Sequence, residues 1–143
     1  MWALIVATLC AGLFAGAAIY VSAVEHPARL SCGTELALRE FGPSYHRGAL
    51  MQASLAVAGT LSGLWAAWIL SDGWIAVGAL LLGVLVPFTL IVIFPTNKQL
   101  LDPALDPRSA QATELLARWG RLHAVRTVLG STAFLLLLLR FGI

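Results

Sequence analysis

The chain has 143 residues, 59% of them hydrophobic and 11% charged, and a net charge of +2. Soluble domains carry about 25% charged residues, so this composition excludes a soluble globular domain and predicts one integral membrane domain, 1–143. The small net charge, with no dense basic cluster, excludes a nucleic-acid partner.

Trp2 to Val24 is free of charge over 23 residues, Gly48 to Leu70 over 23 and Trp74 to Pro95 over 22. Each exceeds the threshold of about 18 residues for a membrane-spanning helix, and lipid admits only helices and closed barrels. The spacing predicts an all-α, four-helix integral membrane bundle with helices at about 2–25, 46–70, 74–95 and 109–140 and two longer loops. Val21-Ser22-Ala23 resembles a signal-peptidase site, but no basic residue precedes the apolar run, so a retained helix is expected. On the first helix Gly12 and Gly16 mark a close-packing face that continues to Tyr20. On the second, Gln52, Ala56, Gly59 and Gly63 do the same. The first loop, Glu25 to Arg47, is expected to hold a short helix from Thr34 to Phe41 with Thr34 as its N-cap. In the third loop Asp102-Pro103 and Asp106-Pro107 signal turns, after which Ser109 caps the last helix. Cys10 and Cys32 are too far apart for a redox motif and lack zinc-type spacing.

The fourth apolar stretch is short. Thr127 to Leu139 is only 13 residues, about 20 Å of helix, against a hydrocarbon core of about 30 Å. A span starting near Gly120 carries His123 and Arg126 to membrane depth, where ionisable groups point to function. The alternative runs from Thr127 to Ile143, with Arg140 snorkelling outward. Trp119, His123 and Arg126 share one helical face, with Arg118 and Arg121 rotated away from it.

Basic residues set the expected topology. Arg29, Arg39, Arg47, Lys98, Arg108, Arg118 and Arg121 belong to the first and third loops, and only Arg140 to the other side. The positive-inside rule places those loops in the cytoplasm and both termini outside, in a multi-pass protein of the cell membrane. All three histidines, His26, His46 and His123, then fall at the cytoplasmic end. Tyr20, Glu25 and the Asn97 region join them, so each helix brings a polar candidate to one end of the bundle. No helix offers a metal-ligand pair at i, i+3 or i, i+4, and the Glu-x-x-His repeat of di-iron bundles is missing, so no metal is expected. A transport path would need polar residues in the outer half, where the third and fourth helices are almost purely apolar.

The order of motifs is His26-Pro27, Phe41 to Arg47 with its Phe-x-x-x-Tyr-x-Arg pattern, Pro95 to Leu100, and Trp119-x-x-x-His123-x-x-Arg126. It resembles the anthrone oxygenase-like family of small four-helix membrane proteins over nearly the full length. Most members have no known role, and those that do oxidise an anthrone to an anthraquinone with dioxygen and no known cofactor. The resemblance implies a lipophilic phenolic aromatic and O2 as partners, beside membrane lipids, and no cofactor. His123 is the candidate base and Arg126 the partner of the enolate. Asn97 would hydrogen-bond a carbonyl or phenol, Trp119 and Tyr20 would line the ring-binding walls, and His26 or His46 could replace His123. The alternative is a non-enzymatic membrane protein, either a complex subunit or a lipid or small-molecule binder. In that case Arg126 pairs with Glu25 or helix-end carbonyls and His123 hydrogen-bonds Asn97.

Overall fold

The computed structural model describes residues 1–142, and all regular structure among them is helical. Ile143, the last residue of the predicted domain and of the alternative fourth span, lies outside the described residues. Four continuous helices, α1 (Trp2–Ser31), α2 (Thr34–Leu70), α3 (Gly73–Leu100) and α4 (Ala110–Phe141), are each long and apolar enough to cross a membrane. α1 packs on α2 and α4, and α3 packs on the same two helices, which makes a square, antiparallel membrane bundle.

The stretch from Glu25 to Arg47, expected as a loop holding a short helix from Thr34 to Phe41, is helix on both sides of a tight turn at Cys32–Gly33, and that short helix runs on without a break into the second span. Gly33, at φ 89°, is the residue before α2, and Thr34 is already helical rather than its cap. Polar, amphipathic turns prolong the helices beyond their apolar runs, which hydropathy cannot see. The other predicted signals hold. Ser109 accepts the amide of Ala112 at 3.1 Å, and Asp102 and Asp106 accept the amides of Ala104 and Arg108.

Prolines shape two of the helices. A proline cannot donate to the carbonyl four residues back and its ring crowds that carbonyl. In α1 a π-helical turn at Val21–Glu25 precedes Pro27, and in α3 another at Thr89–Ile93 precedes Pro95. Each widens the helix by one residue per turn at the same end of the bundle.

The seams are only partly those expected. Gly59 and Gly63 on α2 are buried, and a Cβ on Gly63 would lie 2.7 Å from that of Ala79 on α3. A Cβ on Gly59 would crowd Leu82 and Cys10, which places Cys10 in the α1–α2 seam. On α1, however, Gly16 is exposed and meets nothing within 4 Å. The packed face is Leu4, Ala7, Ala11, Phe14 and Ala18, with Gly12 beside it against the Phe134 ring of α4. Two apolar clusters result. One holds Leu4, Phe14, Leu82, Leu85 and Leu137; the other holds Phe41, Ile93, Leu116 and Trp119. The functional candidates fall between them.

At the end far from the histidines, Asp72 ties three helices. Its Oδ1 accepts the amides of Trp74 and Ile75, and its Oδ2 accepts two bonds from Arg140, at 2.8 and 2.5 Å. Desolvation pulls the Asp72 carboxyl upward, but the Arg140 hydrogen bonds, the two amides and the Arg140 charge outweigh it and hold the group below its ordinary value. A carboxylate depressed in the folded state stabilises above its unfolded pKa and loses that contribution as pH falls through the folded one. Asp72→Asn is therefore expected to lower the melting temperature in detergent at neutral pH. The gap to wild type should close as pH drops below about 4, the ordinary aspartate value, which thermal unfolding at stepped pH measures.

Candidate active site

The cavity between the two clusters has a volume of about 800 Å³, within the roughly 300–1,000 Å³ of small-molecule sites. All four helices line it. Phe14, Tyr20, Val21 and Glu25 come from α1, Phe41 to Ala56 contribute from α2, Leu85 to Asn97 from α3, and Trp119, His123 and Arg126 from α4. Both π-helical turns contribute wall residues, so the widened segments open the space they border.

Neighbours fix the depth of the α4 stripe. Arg126 Nη2 donates to Gln52 Oε1 at 2.5 Å, and its guanidinium lies 5.4 Å from the centre of the Phe14 ring. Phe14 stands in the middle of the uncharged run of α1. Arg126 therefore packs level with the middle of that run. Gln52 satisfies one donor of Arg126, while its Nε has no partner. Among the described residues no carboxylate lies within ion-pair distance of Arg126.

His123 is buried and stacks on Trp119, ring centres 4.8 Å apart. Its Nδ1 is 3.0 Å from Ser22 Oγ, which is 2.8 Å from Thr127 Oγ1. Asn97 is buried on the cavity wall, and its Oδ1 is unpartnered. The pairings of the non-enzymatic alternative do not form: Glu25 bonds Arg29 instead of Arg126, and His123 bonds Ser22 instead of Asn97.

Five of the seven predicted site residues, His123, Arg126, Trp119, Asn97 and Tyr20, line the cavity. Tyr20 does so from the rim, 55% exposed rather than pointing inward, because the packed stripe of α1 runs through Phe14 and Ala18. His26 is buried behind Trp119, with ring centres 5.1 Å apart, and presses on α4 where Gly120 has no side chain. It does not line the cavity. His46 is exposed beside Tyr45 and also stands off the wall, since the early start of α2 turns it outward.

A second network closes the mouth. Arg29, counted from sequence only as a loop charge, is buried. It bonds Glu25, lies 2.6 Å from Glu40 Oε2 and donates to Ser44 at 3.2 Å. Ser44 in turn donates to Glu25 at 2.5 Å, and the Arg29 guanidinium stacks over Trp119 at 5.6 Å. The i, i+4 spacing of Glu25 and Arg29 is the sequence signal for this pair, and it becomes visible only once α1 is seen to continue past Val24. Among the described residues, no three His, Cys, Asp or Glu side chains converge as a metal-binding group.

A family model described as anthrone oxygenase matches residues 41–136. The chain is 33% identical over 136 residues, covering 88% of its own length and 82% of the relative's, to anthrone oxygenase tpcL from Aspergillus fumigatus. No solved structure matches. The chain belongs to the anthrone oxygenase family. The matched region takes in Gln52, Asn97, Trp119, His123 and Arg126 and begins after Ser22, Glu25 and Arg29.

Removing one partner of a buried ion pair leaves charge uncompensated. Arg29→Met is expected to cost roughly 3 kcal/mol, the low end for buried pairs because Glu40 keeps solvent access. Arg39→Met, at an exposed pair, should cost under about 1 kcal/mol. Thermal unfolding of the purified variants in one detergent separates the two.

Proposed function

We propose that the cavity binds a flat, lipophilic anthrone-type phenol and that the protein oxidises it with dioxygen. The observation that carries this reading is the coincidence of a free imidazole nitrogen and a carboxylate-free guanidinium on the wall of one largely apolar cavity. An anthrone is a carbon acid. His123 takes a proton from the ring CH₂, the C–H electron pair moves to the carbonyl oxygen, and the enolate forms. Arg126 stabilises that oxygen, and its charge counts for more in a site poor in water. Asn97 donates to a ring carbonyl or phenol, and Trp119 and Phe41 supply flat walls. The enolate is the reductant, which is why the reading calls for no cofactor. It gives its electrons to O2, one oxygen atom becomes the new carbonyl, and the other leaves as water with the two hydrogens of the CH₂.

The substrate enters from the membrane lipids in which it dissolves. The excess of Arg and Lys at the cavity end supports placing that end in the cytoplasm and both termini outside, in the cell membrane. His26 and His46 are not bases in this scheme, since neither borders the cavity.

Oxygen uptake by purified protein supplied with an anthrone tests the reading. His123→Ala should lose on the order of 100-fold or more in kcat, while His46→Ala keeps wild-type turnover. Turnover by His123→Ala equal to wild type would remove the base assignment.

A further inference from the structure

We propose that Ser22 and Thr127 are positioning residues that hold His123 in its Nδ1–H tautomer and so leave Nε2 as the basic nitrogen facing the cavity. The claim extends the base assignment made above and rests on it for its catalytic consequence.

His123 Nδ1 and Ser22 Oγ are 3.0 Å apart, Ser22 Oγ and Thr127 Oγ1 are 2.8 Å apart, and Thr127 Oγ1 lies 3.1 Å from the Ala18 carbonyl and 3.2 Å from that of His123. A carbonyl can only accept, and each hydroxyl has one hydrogen to give. If Thr127 donates to a carbonyl, its oxygen accepts from Ser22. The Ser22 hydrogen is then spent, so the ring nitrogen must be the donor. Three hydrogen bonds then form, running Nδ1–H to Ser22 to Thr127 to one of the two main-chain carbonyls. In the opposite arrangement Thr127 donates to Ser22, and Ser22 donates to a bare Nδ1. One bond fewer forms, and the carbonyl contacts of Thr127 lose their donor. Aligned donors in a chain also polarise and strengthen one another.

The tautomer matters because a neutral imidazole carries one basic nitrogen, chosen by the bond that the other one makes. Free histidine prefers the Nε2–H form, which would turn a donor rather than a base toward the cavity. The π-helical turn at Val21–Glu25, which precedes Pro27, carries Ser22.

Solid-state NMR on the full chain in nanodiscs, ¹⁵N-labelled at histidine and at a pH where the ring is neutral, reads the tautomer directly, with His123→Gln identifying the signals. Wild type is expected to show a pyrrole-type Nδ1 and a pyridine-type Nε2. Ser22→Ala should exchange the two. Thr127→Val should also exchange them, although its side chain does not touch the ring, because the freed Ser22 hydroxyl then donates to Nδ1. Ser22→Thr should restore the wild-type pattern. With an anthrone, Ser22→Ala and Thr127→Val should lower kcat on the order of tenfold or more, with KM little changed. An Nε2–H signal in wild type overturns the tautomer, and an unchanged Nδ1 signal in both variants overturns the positioning role of Ser22 and Thr127. Full kcat in variants whose tautomer has exchanged overturns its catalytic importance. If wild type oxidises no anthrone, the function reading fails while the spectra still decide the tautomer.

Discussion

The half-buried charge of Arg126 organises the bundle. A guanidinium at the centre of a lipid-facing helix costs about 2.5–3.5 kcal/mol on insertion scales, and the neighbouring helices offset this with one specific contact each. Gln52 on α2 accepts a hydrogen bond, and Phe14 on α1 presents its ring face. Phe14 can lie there only because Gly130 has no Cβ, which would come within 2.8 Å of the ring. Gln52 reaches across because the α2 seam continues as Ala56, Gly59 and Gly63 and holds α2 close to α1 and α3. The small residues that pack the bundle thus also set the depth and surroundings of its one deeply placed cation.

The cavity beside that cation has a backbone cause. Pro27 and Pro95 lie on different helices at the same end, and each is preceded by a π-helical turn. Such turns recur at functional sites because they rotate the following side chains out of the regular helical register. Here the turn on α1 carries Ser22 and Glu25. Ser22 meets His123, and Glu25 meets Arg29 at the mouth. The space opens where α1 and α3 are both wide, and all four helices supply polar groups to its lining.

The apolar runs made four helices legible, and Asp-Pro pairs and Ser109 located the long turn. The shared face of Trp119, His123 and Arg126 followed from helical spacing. Other features depend on information that spacing does not carry. Hydropathy ends a helix at its first charges, so it shows neither the extension of α1 through Arg29 nor the continuity of the short helix at 34–41 with the second span. The buried Arg29 network and the outward turn of His46 were lost with them. A Gly-x-x-x-Gly pair marks a surface that can pack closely, but on α1 the alanine stripe wins and Gly16 faces outward. The partner of His123 was hidden for a different reason. Ser22 is separated from it by 101 positions, and its place four residues after Ala18 marks only a packed face, not a partner on α4.

The two inward arginines differ in what they leave available. Arg29 is held by two glutamates and a serine, so an anion arriving at the mouth gains little from it. Arg126 has only an amide and an aromatic face. In the proposed reaction this difference directs negative charge to the inner end of the cavity. Once His123 has taken the proton, the imidazolium and Arg126 lie one helical turn apart, two cations on one wall. They are tolerated only while the enolate lies between them. When dioxygen discharges the enolate, that balance is lost, and in a low-dielectric site the repulsion drives the proton from the imidazolium to the departing oxygen. A base beside a fixed cation is therefore suited to hold its proton for the lifetime of the carbanion and to surrender it as water forms.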